Sequence, residues 1–250
     1  MFNVKFADAK FWRNIMEALS SLVDEGNFIA HETGITMKAM DPSHIAMVDF
    51  ELPREAFEKY ECSEEIKIGL NLDELVKIMR RAGAGDSLEL SLEEGSNRLI
   101  IKFIGKAVRK FGLSLIDIQD EELPTPNIEF KSYVKLTTDA LRQAIDDALI
   151  VSDHIKFQII DDTLILKATG DTGEVEVKLS KDSDAVLDIN TQENSTATYA
   201  LDYLSDIIKG AAASNVVEVR FSTNLPIKLD FLLLENGRIT YYLAPRVEAE

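Results

Sequence analysis

Cysteine is nearly absent. Cys62 is the one thiol in 250 residues, which excludes an internal disulfide framework. Long apolar runs are missing as well: no stretch approaches the ~20 apolar residues of a membrane-spanning helix, and the opening MFNVKFADAKFWR lacks the apolar core of a secretory leader. The expected setting is therefore soluble and intracellular, without a membrane partner, and the Asn194-Ser195-Thr196 sequon never meets a glycosylating enzyme. Histidine is scarce, and His31, His44 and His154 have no spacing that gathers them on one metal. The adjacent acids Asp146-Asp147 and Asp161-Asp162 point different ways, and Gly105-Lys106 lacks both the upstream glycine and the following Ser or Thr of a phosphate loop. No metal, cofactor or ATP hydrolysis is expected. Positive charge is in deficit too: 27 Lys and Arg stand against 44 Asp and Glu, a net charge of -17. That total argues at first sight against a nucleic-acid partner. A polyanion responds to the field of one face, however, so the distribution along the elements decides the matter.

What is present is a repeat. The stretch IQDEELPTPNIEF, residues 118–130, carries Pro124 and Pro126 among acids and reads as a connector, because proline denies the preceding residue the helical basin. Sequence on its two sides matches at an offset of about 130 residues. Phe11, Ile15, Ala18 and Leu19 fall opposite Leu141, Ile145, Ala148 and Leu149. Leu72-Asp73, Leu75, Ile78 and Arg80 answer Leu201-Asp202, Leu204, Ile207 and Lys209. Leu88-Glu89-Leu90 lies opposite Val217-Glu218-Val219, and Ser114-Leu115 opposite Tyr242-Leu243. Several matches in one order at one offset indicate duplication. The expected domains are 1–117 and 131–250, joined by 118–130.

Each half reads as many short strands and two helices. A strand at 3–6 leads to a helix capped by Asp8 and ending near Gly26, buried through Phe11, Ile15, Leu19 and Leu22. Strands are expected at 28–31, 34–40, 44–51 and 65–70, then a helix over about 73–82, then strands at 88–92, 98–104 and 107–115. The second half repeats this plan, with strands at 132–136, 155–160, 163–168, 174–179, 197–201, 216–222, 227–234 and 239–244. Its helices run from Thr138 to about Val151 and through Leu204, Ile207 and Ile208. The fold class is α+β: two similar domains, each with two helices on one face of antiparallel sheet.

Catalytic motifs are weak. Asp171-Thr172-Gly173 matches the aspartic protease triplet, whose chemistry needs two carboxylates sharing a proton. It follows Ala168-Thr169-Gly170 rather than an apolar run, and Gly-Asp-Thr-Gly between two strands is an ordinary turn. The helix faces are more informative. Lys10, Arg13, Lys77, Arg80 and Arg81 lie on the outward sides of the two helices of the first half and would share a surface able to meet phosphates. In the second half Arg142 and Lys209 are outnumbered by Asp139, Asp146, Asp147, Asp202 and Asp206.

Several stretches resemble one family, the archaeal and eukaryotic DNA sliding clamps of the proliferating cell nuclear antigen type. Met40-Asp41-Pro42-Ser43-His44 resembles its early loop motif, and Gly69-Leu70-Asn71-Leu72 through Ala82-Gly83 its second helix with the preceding strand. Tyr241-Tyr242-Leu243-Ala244-Pro245-Arg246 is similar to its carboxyl-terminal signature. The resemblance spans the whole chain, including Met1-Phe2 and the position of the connector.

The resemblance implies a non-enzymatic processivity factor, a ring of three two-domain chains around duplex DNA, bound without sequence specificity. The helices would line the hole and the strands would form the outer shell. It implies DNA contact at Lys10, Arg13, Lys77, Arg80, Arg81 and Lys209, although Asn14, Ser20 and Asp146 depart from basic residues seen in relatives. It implies a groove under the connector for short peptides of DNA polymerase, clamp loader, flap endonuclease and DNA ligase. Matching groove positions are Met40, His44, Ile45, Met47, Leu123, Pro126, Pro226, Tyr242, Leu243, Ala244 and Pro245, with Thr125 in place of a common apolar residue; core packing is the competing role for each. It further implies a subunit contact between 107–115, with Arg109, Lys110 and Phe111, and 174–179, with Val175, Val177 and Lys178. On opposite charge alone, and not from the resemblance, Arg81 and Arg109 would pair with Asp139, Asp146 or Asp147 across that joint. The implied location is the cytoplasm beside the nucleoid, or the nucleus for a eukaryotic source. Two other readings carry distinct signatures: a duplicated regulator like the TATA-binding protein would have a basic sheet face with aromatic wedges, and a protease would depend on Asp171.

Overall fold

Asp8 ends the first strand and starts the first helix. Its backbone is extended (φ -125°, ψ 114°) and its carboxylate accepts from the Lys10 N–H at 2.9 Å, satisfying one of the amides that a helix start leaves without a partner. Asn71 does the same for the second helix, accepting from the Glu74 N–H at 2.9 Å, with Asp73 and Glu74 placed favourably for the helix dipole. The helices of the second half have no side-chain cap.

The computed structural model describes residues 1–93, 95–119 and 123–246. The first repeat runs β1 (Phe2–Phe6), α1 (Ala9–Ser20), β2 (Glu25–His31), β3 (Gly34–Met40), β4 (Ala46–Pro53), β5 (Lys59–Cys62), β6 (Ile66–Asn71), α2 (Leu72–Met79), β7 (Ser87–Leu92), β8 (Arg98–Ile104) and β9 (Val108–Ser114). The second runs β10 (Ser132–Thr137), α3 (Thr138–Leu149), β11 (His154–Ile160), β12 (Thr163–Gly170), β13 (Gly173–Ser180), β14 (Val186–Thr191), β15 (Ser195–Ala200), α4 (Leu201–Ile207), β16 (Val216–Phe221), β17 (Ile227–Leu232) and β18 (Arg238–Leu243). In the first repeat the strands lie in the orders β5-β1-β7-β8-β9 and β4-β3-β2-β6; in the second, β14-β10-β16-β17-β18 and β13-β12-β11-β15. Set β10 against β1 and the two orders coincide strand for strand.

The duplication extends to single hydrogen bonds. The first amide of α1 donates to a loop carbonyl, Ala9 N to Asp86 O at 2.9 Å, and that of α2 likewise, Leu72 N to Asp24 O at 2.8 Å. One repeat later the same pair appears as Thr138 N to Asn215 O at 3.0 Å and Leu201 N to Asp153 O at 2.9 Å. These loop carbonyls satisfy the first amide of all four of these helices, with a side-chain cap beside them at α1 and α2 and without one at α3 and α4.

Two compact units result: Met1–Pro42 with Val48–Leu123 and Leu233–Ile239, and Ser43–Met47 with Pro124–Leu232 and Thr240–Glu250. In the first, Trp12 stacks on Phe6 at 4.9 Å between ring centroids and meets Phe28 and Phe50 edge-on or tilted. In the second, Phe157 lies edge-on to Tyr199 and Phe221, and Phe231 to Tyr241. Each fully buried large side chain contributes about 1.5–3 kcal/mol, so these clusters anchor the sheets beneath the helices.

Several expected boundaries move. α1 ends at Ser20, not near Gly26, because Glu25 and Gly26 pair with Asn71 and Leu70 as the start of β2. Its buried face is Trp12, Ile15, Met16 and Leu19, with Phe11 only half-buried. α2 ends at Met79 rather than Ala82, and α3 at Leu149, which is 41% exposed and not a core residue. β4 begins at Ala46, since His44 turns the chain with φ 57°. The sequence reading missed β5 and β14. Both are edge strands with little buried surface.

Candidate DNA-facing helices, docking surface and edge strands

α1 and α2 pack against each other in the first unit, and their outward faces share a surface. Arg80 Nε lies 2.9 Å from Glu17 Oε1, joining the two helices, and Lys77 Nζ lies 3.2 Å from Glu74 Oε1. Both cations are largely exposed. Pairs of this kind contribute at most about 1 kcal/mol, so either cation can exchange its carboxylate for a phosphate at small cost. Lys10 and Arg13 are half-buried on α1, and Arg81 is exposed just past α2. On α3 and the turn after α4 the balance reverses: Arg142 is held by Asp139 at 2.5 Å and Lys209 by Asp206 at 2.6 Å, while Asp146, Asp147 and Asp202 are exposed beside them.

The start of the connector is tied to the edge of β6. Ile116 N donates to Gly69 O at 3.0 Å, and Lys67 Nζ and Asn27 Nδ2 donate to Ile118 O at 2.8 and 3.2 Å. A Cβ at position 69 would sit 2.2 Å from Ile116 O; glycine permits this approach. Below the segment lies a hollow of about 600 Å³, lined by Met40 and Leu123 with Ile29, Thr36, Ile118 and Gln119. Residues 120–122 of the connector lie outside the described residues.

The other positions expected in the groove belong to the second unit. Ala244 N donates to Ile45 O at 3.0 Å, which joins the 43–47 segment to the carboxyl-terminal strand. Ile45 is 40% exposed, so core packing does not explain it. Leu243 and Met47 are buried, as core packing would have them. Tyr242 is buried with the Lys228 ammonium 5.9 Å from its ring centroid, while Pro126, Pro226 and Pro245 are half-buried and His44 and Ala244 exposed. Beside Pro226, Leu225 is an apolar residue left 39% exposed. Its carbonyl is fixed by the Tyr199 hydroxyl, which donates at 2.8 Å; burial pushes the Tyr199 phenol well above its ordinary pKa.

The carboxyl-terminal tail is held by the same bond as the connector, one repeat later: Arg246 N donates to Thr198 O at 2.7 Å, the counterpart of Ile116 N to Gly69 O. The Arg246 side chain adds a contact to Asp153 at 3.3 Å, and Asp153 Oδ1 lies 2.6 Å from His154 Nδ1. These hydrogen bonds, that of His154 foremost, hold the Asp153 carboxyl below its usual pKa.

β9 and β13 are edge strands, each with one neighbour among the described residues. They have seven and eight residues, against four to six for β5, β6, β14 and β15. Val108 is 68% exposed, and Phe111, Val175 and Val177 are half-buried. Long unpaired edges with apolar side chains are what proteins otherwise avoid. Arg109, expected to reach across a joint, is engaged within its own chain: one guanidinium nitrogen donates to Arg81 O at 2.8 Å and another pairs with the buried carboxylate of Asp86. Lys110 reaches toward Glu93 at 3.8 Å and Lys178 pairs with Glu176 at 2.7 Å.

Asp171-Thr172 is the two-residue turn of the β12–β13 hairpin, flanked by paired Gly170 and Gly173. A Cβ on Gly170 would stand 1.7 Å from Val151 O, so the glycine before the aspartate serves backbone packing. Among the described residues no three His, Cys, Asp or Glu side chains gather as a metal site.

Residues 1–122 match the family model described as proliferating cell nuclear antigen, N-terminal domain, and residues 124–246 the corresponding C-terminal domain. A relative named DNA polymerase sliding clamp 1, from Pyrobaculum aerophilum, is 41% identical over 244 residues, 97% of each chain. The DNA polymerase sliding clamp of Thermococcus gammatolerans is 39% identical over 247 residues, 99% of each chain. Among solved structures, PCNA from Thermococcus kodakaraensis superposes with a TM-score of 0.94 at 30% identity, covering 98% of this chain and 100% of that one. The PCNA2–PCNA3 complex from Sulfolobus tokodaii gives 0.92 at 28%, with the same coverage.

Proposed function

The chain belongs to the proliferating cell nuclear antigen family over nearly its whole length, and from that premise we propose that three copies close head to tail into a ring around duplex DNA. It is a DNA polymerase sliding clamp, a processivity factor and not an enzyme. Its domains are 1–117 and 131–250, with 118–130 as the connector. The contact runs from β9 of one chain to β13 of the next, a heterologous pairing that closes when the rotation per chain closes. Lys10, Arg13, Lys77, Arg80, Arg81 and Lys209 meet phosphates without reading sequence. Short peptides of DNA polymerase, clamp loader, flap endonuclease and DNA ligase dock on Ile45, Tyr242, Pro245, Leu123 and their neighbours, so that a partner's second encounter with DNA becomes intramolecular. The work is done in the cytoplasm beside the nucleoid, or in the nucleus of a eukaryotic source. No described helix is long and apolar enough to cross a membrane.

The observation that carries this reading is the pairing of cationic, mutually packed helices in the first unit with two long unpaired edges, β9 and β13. The net charge of -17 fits a protein that touches DNA weakly on one surface and is repelled elsewhere. DNA contact is lopsided toward the first repeat. Each phosphate contact adds about 0.9 to the slope of log affinity against log salt. Lys77→Ala with Arg80→Ala therefore lowers that slope by nearly 2 in filter binding, whereas Arg142→Ala with Lys209→Ala changes it by less than 1. Equal losses from the two pairs would refute the lopsided contact.

A further inference from the structure

Within the second unit a hollow of about 280 Å³ opens beside Pro245, lined by Lys156, Thr196, Thr198, Asn224 and Arg246. We propose that it is a carboxylate subsite: it takes an acidic side chain of the docking peptide, next to the apolar anchors, and so selects partners by charge. The proposal rests on the docking role of Pro245 and adds a specificity element to it.

The hollow is a local exception in a chain of net charge -17. Lys156 on β11 stands opposite Thr198 on β15, so the wall of the hollow sets an ammonium beside hydroxyl groups; the next cation along the sheet, Lys167 on β12, is taken by Glu176 and lies outside the lining. Thr198 is only 5% exposed, a polar side chain covered by the tail whose Arg246 N–H bonds its carbonyl. Arg246 supplies the second cation. Its Nη1 is taken by Asp153 at 3.3 Å and approaches His154 Nδ1 at 3.4 Å; among the described residues these are its only side-chain partners. A guanidinium has five N–H donors in a planar fork, so Asp153 orients the group while the rest of the fork can meet another carboxylate. Asn224, held at φ 55° with its N–H on Thr196 O at 3.0 Å, closes the far rim.

The occupant is a peptide carboxylate and not a DNA phosphate, because the sheet stands between. Ile155, Phe157, Ala197 and Tyr199 are buried, and their faces of β11 and β15 carry α3 and α4. Lys156 and Thr198 alternate with them and so project from the opposite face. A phosphate on the helix side does not reach the hollow. A peptide on Pro245 is already at its edge.

An exposed, charge-assisted pair is worth roughly 1 kcal/mol, about fivefold in affinity. The test uses a fluorescein-labelled docking peptide from the source organism's replicative polymerase, made with Glu, Ala or Lys at the two positions flanking its apolar anchors on each side. Anisotropy titrations against the full chain at low salt are expected to favour Glu over Ala by about fivefold at one flank and to disfavour Lys. In Lys156→Gln and, separately, Arg246→Gln, the Glu-to-Ala ratio falls toward one. Binding of all peptides with a ratio near one in the unaltered protein would overturn the subsite while leaving the docking reading intact. A ratio that persists in both variants would also overturn it. Failure of every peptide to bind would overturn the docking reading and the subsite together.

Discussion

Val175→Asp combined with Val177→Asp is expected to leave a folded 28.0 kDa monomer at concentrations where the unaltered chain has about three times that mass. Both valines are half-buried on β13, two residues apart and therefore on one face of an edge strand. Pairing with β9 of the next chain would bury them further. Losing two apolar contacts and placing two carboxylates against a partner strand costs roughly 3 kcal/mol or more, which raises the dissociation constant at least a hundredfold. Leu187→Asp is the control. Leu187 is 52% exposed on β14, another edge strand but a shorter one outside the proposed contact. Light scattering should return a monomer for the valine pair and an unchanged mass for Leu187→Asp. Equal masses for both would remove β13 from the contact.

Ile45→Asp is expected to weaken docking-peptide binding by about thirtyfold or more without changing the native mass. Ile45 is 40% exposed beside a turn that His44 makes at φ 57°, and the Ala244–Ile45 hydrogen bond fixes its backbone. It is therefore a pre-positioned apolar side chain, the kind that carries 2 kcal/mol or more of a small interface. Leu123→Ser tests the connector side and should cost less, since Leu123 lines an open hollow. Leu234→Ser, at a residue 60% exposed outside the docking surface, should change nothing. Titration curves for Ile45→Asp that overlay those of the unaltered chain would take this segment out of the site.

The repeat was legible because its apolar positions have to recur for two equal cores to form. Ile15, Leu19, Leu75, Leu141, Ile145 and Leu204 are all buried, as their matched spacing requires. The helix faces were legible for the same reason: a cation on the polar side of an amphipathic helix has nowhere else to go. What stayed hidden depends on distant partners. Trp12 and Phe11 are neighbours, and it is the rings of Phe6, Phe28 and Phe50, brought together by the fold, that make Trp12 the core residue. The pairing of Arg109 with the buried carboxylate of Asp86, 23 positions away, has no signal in the spacing of either residue. Leu149 had the spacing of a buried residue, but α3 stops there and exposes it. β5 and β14 escaped because an edge strand with few buried side chains has weak alternation. The 43–47 segment belongs to the second unit through a backbone bond to Ala244, which no side-chain pattern announces.

The central claim is that the chain holds DNA by enclosing it. The most direct measurement loads the protein on a nicked circular plasmid, isolates the complex at a salt concentration that dissolves ordinary phosphate contacts, and then cuts the plasmid once. A closed ring stays on the circle and leaves within minutes of linearisation, as it slides off the new ends. A protein that stays on the cut DNA, or that leaves the intact circle as fast as the linear form, binds by contact alone and contradicts the account.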